Sequence, residues 1–317
     1  MFHIETIKFG DLFTYKIINN QTKEYFSIIP GFGTLMNELV LHKEGHNHQI
    51  LKGYHSYEYL QKNFSRLFRG ANLFPFPGRI KEATYNFQKK TYHLSKNDPS
   101  QKHALHGYIY YQKFEIVRVK TSEEKGILET LFKEDGSVLP YPFRFEISVE
   151  FKLDKSGFSC LTQVENTGKD PMPIGQGWHP YFKAMGKTDD MILQIPSAKY
   201  LELDQDMCPT GAIKNMDKFL EPEKIGQVSL DTVFVLEKEP GISKTYLYFP
   251  DGTAKIVLWQ ETGEMKYNYL TVFTPPERDS IAMEPWTCPP DVFNNKMDLI
   301  TLDPGKKLEL AMGISLE

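Results

Sequence analysis

Two segments carry the side chains best suited to moving protons. His179 sits in GQGWHPYF (175–182) and Glu284 in IAMEPWTCPPDVFNN (281–295). A histidine and a carboxylate can act as acid and base, and each positioned proton-transfer group is worth about 10²–10⁴-fold in rate. Gly177 and Pro180 flank the histidine and mark a strand end or bulge, where a side chain can be aimed into a cleft. A lone histidine among aromatic residues also fits a core position. Glu284 follows Ile-Ala-Met and precedes Pro-Trp, an apolar setting for a residue type almost never fully buried unless paired. Desolvation there raises a carboxyl toward the range useful for a general base; an edge strand facing water is the plainer alternative. Arg79 ends the Pro- and Gly-rich turn of NLFPFPGRI (72–80), and its fork of donors suits hydroxyls or a carboxylate. It could equally be a structural ion-pair partner. His106, in KHALHGY (102–108), precedes a glycine that allows close approach of a ligand. His42, His46 and His48 in HKEGHNH read as a polar turn in preference to a metal site, because Gly and Asn separate them and no Cys accompanies them. A metal hydrolase built from His103, His106, His179 and Glu284 needs a convergence that spacing alone does not supply.

These residues are spread over about two hundred positions, so a long-range fold must bring them together. Period-two alternation supplies the elements. Phe143, Phe145, Ile147, Val149 and Phe151 alternate with Arg144, Glu146, Ser148, Glu150 and Lys152, the pattern of a strand with one buried and one wet face. Segments 25–29, 85–94, 113–120, 127–133, 158–165, 191–195, 244–249, 254–260, 267–273 and 307–316 read as further strands. Asp135-Gly136, Pro250-Asp251-Gly252, Thr262-Gly263 and Asp303-Pro304-Gly305 are turn signals. Over 56–69, Tyr57, Leu60, Phe64, Leu67 and Phe68 recur at helical spacing, with Ser56 to cap the start and Gly70 to end it. The expected fold class is all-β, a large antiparallel two-sheet β-sandwich with few short helices. Strand signals continue to Ile314 without a linker, so 1–317 is expected to form a single domain.

Composition narrows the function. Lys+Arg is 37 and Asp+Glu is 41, a formal charge of −4, which gives no reason to expect nucleic acid or an anionic membrane as partner. Three well-separated Cys, without CxxC spacing, argue against a disulfide framework and a Cys-rich zinc site. No signal peptide and no run of roughly 18 apolar residues is seen, so a cytoplasmic setting is expected. GxxxxGK[ST] and GxSxG are absent, and the Gly-x-Gly pairs lack a strand–turn–helix context. No cofactor is expected. Aromatic residues make up 13%; they suit pleated surfaces and also the flat apolar faces of sugar rings.

Five segments occur together in one order: NLFPFPGRI, LHGY (105–108), GWHPYF (177–182), DTVF (231–234) and EPWTCPPDVFNN (284–295). This set resembles the signature blocks of the aldose 1-epimerase (galactose mutarotase-like) family, and LDPGKKLELAMGISL (302–316) resembles that family's last strand. The resemblance covers roughly residues 20 to 316. It implies a large β-sandwich with a sugar-binding cleft and a monosaccharide as small-molecule partner. By the same resemblance His179 is the general acid toward the ring oxygen and Glu284 the general base toward the anomeric hydroxyl. His106 and Arg79 hold the sugar and stabilise charge, and Asp231 accepts hydrogen bonds from its hydroxyls. Trp286 borders the cleft, with no role carried over. Two stretches depart from the best-known galactose mutarotases. After His106 the chain runs GYIYYQKFE, without the usual Phe and small residues, and after Glu284 it has Pro-Trp-Thr in place of another polar pair. Both border the expected cleft and bear on sugar preference. A non-catalytic carbohydrate-binding module on the same fold is the alternative, since fold does not fix function; it has no need for both His179 and Glu284. An epimerase of phosphorylated sugars would need a basic pocket beyond Arg79, and no Arg cluster accompanies the motifs.

Overall fold

A computed structural model describes residues 1–317. The chain opens with five antiparallel strands in sequential order: β1 (Phe2–Phe9), β2 (Leu12–Asn19), β3 (Tyr25–Ile29), β4 (Leu35–Lys43) and β5 (His46–Gln49). The HKEGHNH run forms the β4–β5 hairpin, with Glu44 and Gly45 at positive φ in its turn and His42 paired to Asn47. It is a polar turn, as its composition implies. Helix α1 (Tyr57–Leu67) follows and buries Leu60, Phe64 and Leu67. Ser56 caps it by accepting from the Tyr59 N–H. Its end differs from expectation: Phe68 takes the left-handed C-cap at φ 47°, two residues before Gly70. The Phe68 ring packs on Phe64 and His106, and that packing offsets the cost of a left-handed non-glycine residue.

Short strands β6 (Asn72–Leu73), β7 (Arg79–Ile80), β8 (Thr84–Phe87), β9 (Lys90–His93) and β10 (Ala104–Leu105) lead into long ones: β11 (Glu115–Thr121), β12 (Lys125–Asp135), β13 (Arg144–Asp154) and β14 (Gly157–Asn166). Then come β15 (Met172–Ile174), β16 (Gly177–Trp178), β17 (Tyr181–Lys183), β18 (Ile192–Gln194), β19 (Lys199–Leu203), β20 (Pro209–Asn215) and β21 (Glu223–Lys224). The last third holds β22 (Asp231–Val235), β23 (Gly241–Tyr248), β24 (Lys255–Thr262), β25 (Tyr269–Phe273), β26 (Ser280–Trp286), a one-turn helix α2 (Val292–Asn295), β27 (Ile300–Leu302) and β28 (Lys307–Leu316). No helix is long and apolar enough to cross a membrane.

Two large sheets dominate. One has nine strands in the order β11-β12-β13-β14-β28-β24-β23-β18-β21, and the other has eight strands, seven of them in the order β20-β19-β22-β25-β26-β16-β6, with β17 also pairing with β26. The N-terminal five strands form a third sheet, which alternation alone does not distinguish from the other two. The inward residues of β13 and β14 interdigitate with those of the other sheets in a core of 60 buried side chains, from Phe2 to Ile314. A smaller cluster joins Leu60, Phe64 and Phe68 to Val233, Tyr269 and Trp286. It lies on the opposite face of the eight-stranded sheet, because alternate residues of β22, β25 and β26 point to alternate faces. The sheet is therefore covered on both sides near this cluster. Cys160, Cys208 and Cys288 are free and buried.

Candidate active site

Register on the eight-stranded sheet builds the floor of a pocket. On β26, Glu284 and Trp286 point to one face; Thr271 pairs with Glu284 from β25, and Val233 pairs with Thr271 from β22. Asp231 and Phe273 pair one step along. All six line the same pocket. Pairing with alternate residues up on three adjacent strands puts them side by side.

The walls come from loops. β16 ends at Trp178 and β17 resumes at Tyr181, so His179 and Pro180 break the strand, as the flanking Gly177 and Pro180 suggest. His179 is pinned by two backbone hydrogen bonds. Its N–H donates to Ala71 and its carbonyl accepts from Gly70. Its ring lies parallel to that of Tyr181, centroids 5.2 Å apart, and edge-on to His106 at 5.4 Å. Arg79 and His106 come from the β7–β10 pair, where Leu105 sits opposite Arg79. His106 takes φ 63°, and Gly107 after it is also left-handed. A Cβ on Gly107 would lie 2.1 Å from the Phe74 carbonyl oxygen, so only glycine fits there. The His106 Nδ1 accepts the Gly78 N–H at 3.1 Å. That fixes the tautomer and leaves Nε2–H as the donor. Arg66 reaches the rim from α1 and pairs with Glu277 at 2.8 Å.

The sequence-predicted residues Arg79, His106, His179, Asp231 and Glu284 all line this one pocket. His103 does not. Its Nδ1 accepts from the Glu82 N–H, and its Nε2 faces Asp206 at 3.4 Å. No group of three or more His, Cys, Asp or Glu side chains is arranged to hold a metal ion.

His179 and Glu284 touch. His179 Nε2 is 3.4 Å from Glu284 Oε1, and Trp286 Nε1–H donates to Glu284 Oε2 at 3.2 Å. The two residues are 7% and 1% exposed, and this decides their charge. Burial drives the Glu284 carboxyl well above the usual carboxylate range. The Asp231 charge adds to this, and the Trp286 hydrogen bond opposes it. Burial pushes the His179 imidazole down to about 3. His106 is driven well below its ordinary value by burial, then by His179 and Arg79. Both histidines are thus neutral at neutral pH. Asp231 is exposed at the mouth of the pocket, yet the protein around its carboxyl raises it by desolvation, against the pull of Arg79. Arg79 approaches one carboxylate, with Nε 4.0 Å from Asp98. Asp98 is buried, but hydrogen bonds from Ser100, His103 and Lys102 outweigh the burial and hold it at about 2.

Tyr181 and Thr271 were not legible as site residues, and Trp286, expected at the cleft border, had no role assigned to it. Tyr181 stacks on His179, two positions away across the strand break, and Trp286 holds one oxygen of Glu284 from the next same-face position. The i, i+2 spacing is a signal for both once the strand is known. Thr271 offers a buried hydroxyl without a partner in the protein, and only strand pairing places it beside Glu284.

Residues 16–315 match the aldose 1-epimerase family. A protein of Escherichia coli K12 named YihR, itself uncharacterized, is 26% identical over 253 residues, spanning 77% of this chain and 78% of its own. An aldose 1-epimerase of Streptococcus thermophilus is 25% identical across an alignment 341 positions long, gaps included, that covers 96% of this chain and 94% of its own. Among solved structures, a galactose mutarotase-like protein from Clostridium acetobutylicum superposes with a TM-score of 0.86 at 19% identity, covering 100% of this chain and 98% of that one. A galactose 1-epimerase from Lactobacillus acidophilus NCFM gives 0.79 at 16% identity, with coverage of 100% and 98%. The structural likenesses carry the fold, and the match over nearly the whole length carries the family: this chain belongs to the aldose 1-epimerase family.

Proposed function

We propose that the chain, acting as one unit over 1–317, interconverts the α and β anomers of a free aldose by opening and reclosing the hemiacetal ring. The observation that carries this reading is the contact between His179 Nε2 and Glu284 Oε1 at 3.4 Å in the pocket wall. Ring opening removes a proton from O1 and delivers one to the ring oxygen. Both oxygens are bonded to C1, so an acid and a base this close together can serve both.

The pair must hold one proton in total. In the cyclic complex it sits on His179, with Glu284 ionised. Glu284 takes the O1 proton as His179 gives its own to the ring oxygen. The products are a carboxylic acid, a neutral imidazole and the open aldehyde. Rotation about C1–C2 followed by the reverse transfers yields the other anomer. Burial favours the neutral pair, so the apolar setting stabilises the open-chain stage. Sugar hydroxyls and the donors of Arg79 and His106 solvate the charged stage. Neutral His106 offers Nε2–H without competing for the proton, and Asp231 accepts from hydroxyls. Trp286 ties down one oxygen of Glu284 and leaves the other free to react. No electron transfer enters this scheme.

Anomer exchange followed by NMR or polarimetry on freshly dissolved aldoses tests the reading. Acceleration of at least one hexose or pentose without added cofactor is expected. Sugar binding with no acceleration of any of them would favour the binding-module alternative.

A further inference from the structure

Tyr181 carries a hydroxyl that the fold leaves free. Tyr85, Tyr141, Tyr267 and Tyr269 are buried as deeply, and each donates to a protein acceptor: the Pro140 carbonyl, the Pro173 carbonyl, Gln176 and Asp298 in turn. The Tyr54 hydroxyl accepts the Arg69 N–H. A buried tyrosine normally finds such a partner. Tyr181 is 2% exposed, has none within the protein, and lines the pocket. We infer that Tyr181 is a further catalytic residue whose hydroxyl donates to O1 of the sugar, and that Arg69 is the positioning residue that holds and polarises it. This inference rests on the mutarotase reading of the pocket.

Register aims the hydroxyl. Tyr181 pairs with Ala282 across β17 and β26, so it shares a face with Glu284 two residues along. Ala282 pairs in turn with Phe273, and Phe273 with Asp231. The small Ala282 leaves space on that row beside Glu284. Burial drives the Tyr181 hydroxyl well above its ordinary value, and the Glu284 charge adds to the rise, so the group keeps its proton and serves as a donor. Glu284 works on O1, and a donor beside Glu284 therefore stands beside O1. When the ring recloses, the ring hydroxyl oxygen bonds to C1 and gives its proton to His179. One electron pair of the carbonyl double bond moves to O1, which takes the Glu284 proton. O1 turns negative as that pair arrives, and a fixed donor aimed at the charge lowers the barrier. Tyr181 keeps its own proton throughout.

Arg69 is a cation 3% exposed. Its Nε–H is buried without an acceptor, and Asp279, whose carboxylate feels its charge, is paired with Lys52. The guanidinium carbon lies 5.5 Å from the Tyr181 ring centroid. A buried charge without a counterion is costly, and the face of Tyr181 is the partner it has. The same charge opposes the rise of the Tyr181 hydroxyl and so strengthens it as a donor. Phe68, just before Arg69, lies at 21° to the His179 ring with centroids 6.5 Å apart. Two consecutive residues at the end of α1 thus grip the two stacked rings, one each.

The test is anomer exchange of the aldose that the wild type handles fastest, by Tyr181→Phe, Arg69→Met, Arg69→Lys and the Tyr181→Phe/Arg69→Met double variant, with Tm for each. Tyr181→Phe keeps the ring and its stacking. It is expected to lower kcat about 10²-fold, with KM within about twofold and Tm within about 2 °C, because the hydroxyl bonds to nothing in the protein. Arg69→Met is expected to lower kcat about tenfold while raising Tm, since it removes a buried unpaired charge. Arg69→Lys should recover most of that kcat. In the Phe background the Met change should have little effect, because the hydroxyl it acts through is gone. Wild-type kcat in Tyr181→Phe, a change there confined to KM, or an equal loss from Arg69→Met in both backgrounds overturns the inference and leaves the mutarotase reading intact. Exchange of no aldose by the wild type overturns that reading, and the inference with it.

Discussion

Strands β13 and β26 answer to opposite rules. β13 alternates cleanly, with Phe145, Ile147, Val149, Phe151 and Leu153 buried and the residues between them half-buried. Every residue of β26 is buried. β13 has one face on the core and one in water, so its charges are solvated: Glu146 meets Lys133 at 2.7 Å, and Glu150 meets Arg118. β26 lies in a sheet covered on both faces, so its one carboxyl is held among Trp286, His179 and Thr271. A glutamate costs little on the first strand and a great deal on the second. Such an expense persists in a folded protein where it is used, and Glu284 is the place to look.

The sharpest break in the comparison is Glu284→Gln. Turnover should fall by two or more orders of magnitude while sugar binding weakens much less, since the amide still bonds to the anomeric hydroxyl. Its stability should move in the opposite direction. A carboxyl raised in the folded state supports the fold fully below its ordinary 4.5 and loses that support as pH climbs through the raised value. The amide variant should therefore melt above the wild type at neutral pH, and the gap should close below pH about 4.5. Melting curves over a pH series check the sign; a gap independent of pH would show that burial does not govern this carboxyl.

His179→Asn should also cost two or more orders in turnover, and the two losses should not add, because both groups act in one step. Its pH signature is the mirror image. An imidazole held down to about 3 supports the fold above its ordinary 6.5 and loses that support as pH falls through about 3. The asparagine variant should be the more acid-resistant protein, as circular dichroism down to pH 3 would reveal.

Smaller effects tune the pair. Trp286→Phe removes the N–H from Glu284 Oε2, which should raise the Glu284 carboxyl further and reduce kcat/KM by roughly tenfold. Asp231→Asn removes the charge that raises it. The alkaline limb of the pH–rate profile should then shift down, with KM increased by the lost acceptor. Opposite displacements of that limb in the two variants are the outcome to look for. At the far end of the scale, Glu146→Gln on β13 should leave turnover untouched and Tm within about 2 °C. A clear loss of activity there would undo the contrast between a solvated and a desolvated carboxylate.

Much of this was readable in one dimension. The alternation of 143–152, the α1 stripe from Tyr57 to Phe68 and the Ser56 cap are local. They depend on the 2.0 and 3.6 residue periods and on one side chain reaching a nearby N–H. Local chemistry also marked His179 and Glu284, because an ionisable residue inside an aromatic or apolar run is conspicuous before any fold is known. The helix end was misplaced at Gly70 because the preference of glycine for positive φ is local, whereas the packing that holds Phe68 there is not.

The sequence by itself therefore determined the class of fold, the candidates for moving protons and, through its ordered blocks, the family. Only the tertiary structure decided that residues from 79 to 284 share one pocket and that Thr271 stands opposite Glu284. It also decided the charge state of the pair. Register and loop closure join residues remote in the chain, and desolvation depends on everything packed around a group. Neither is written in the spacing of neighbours.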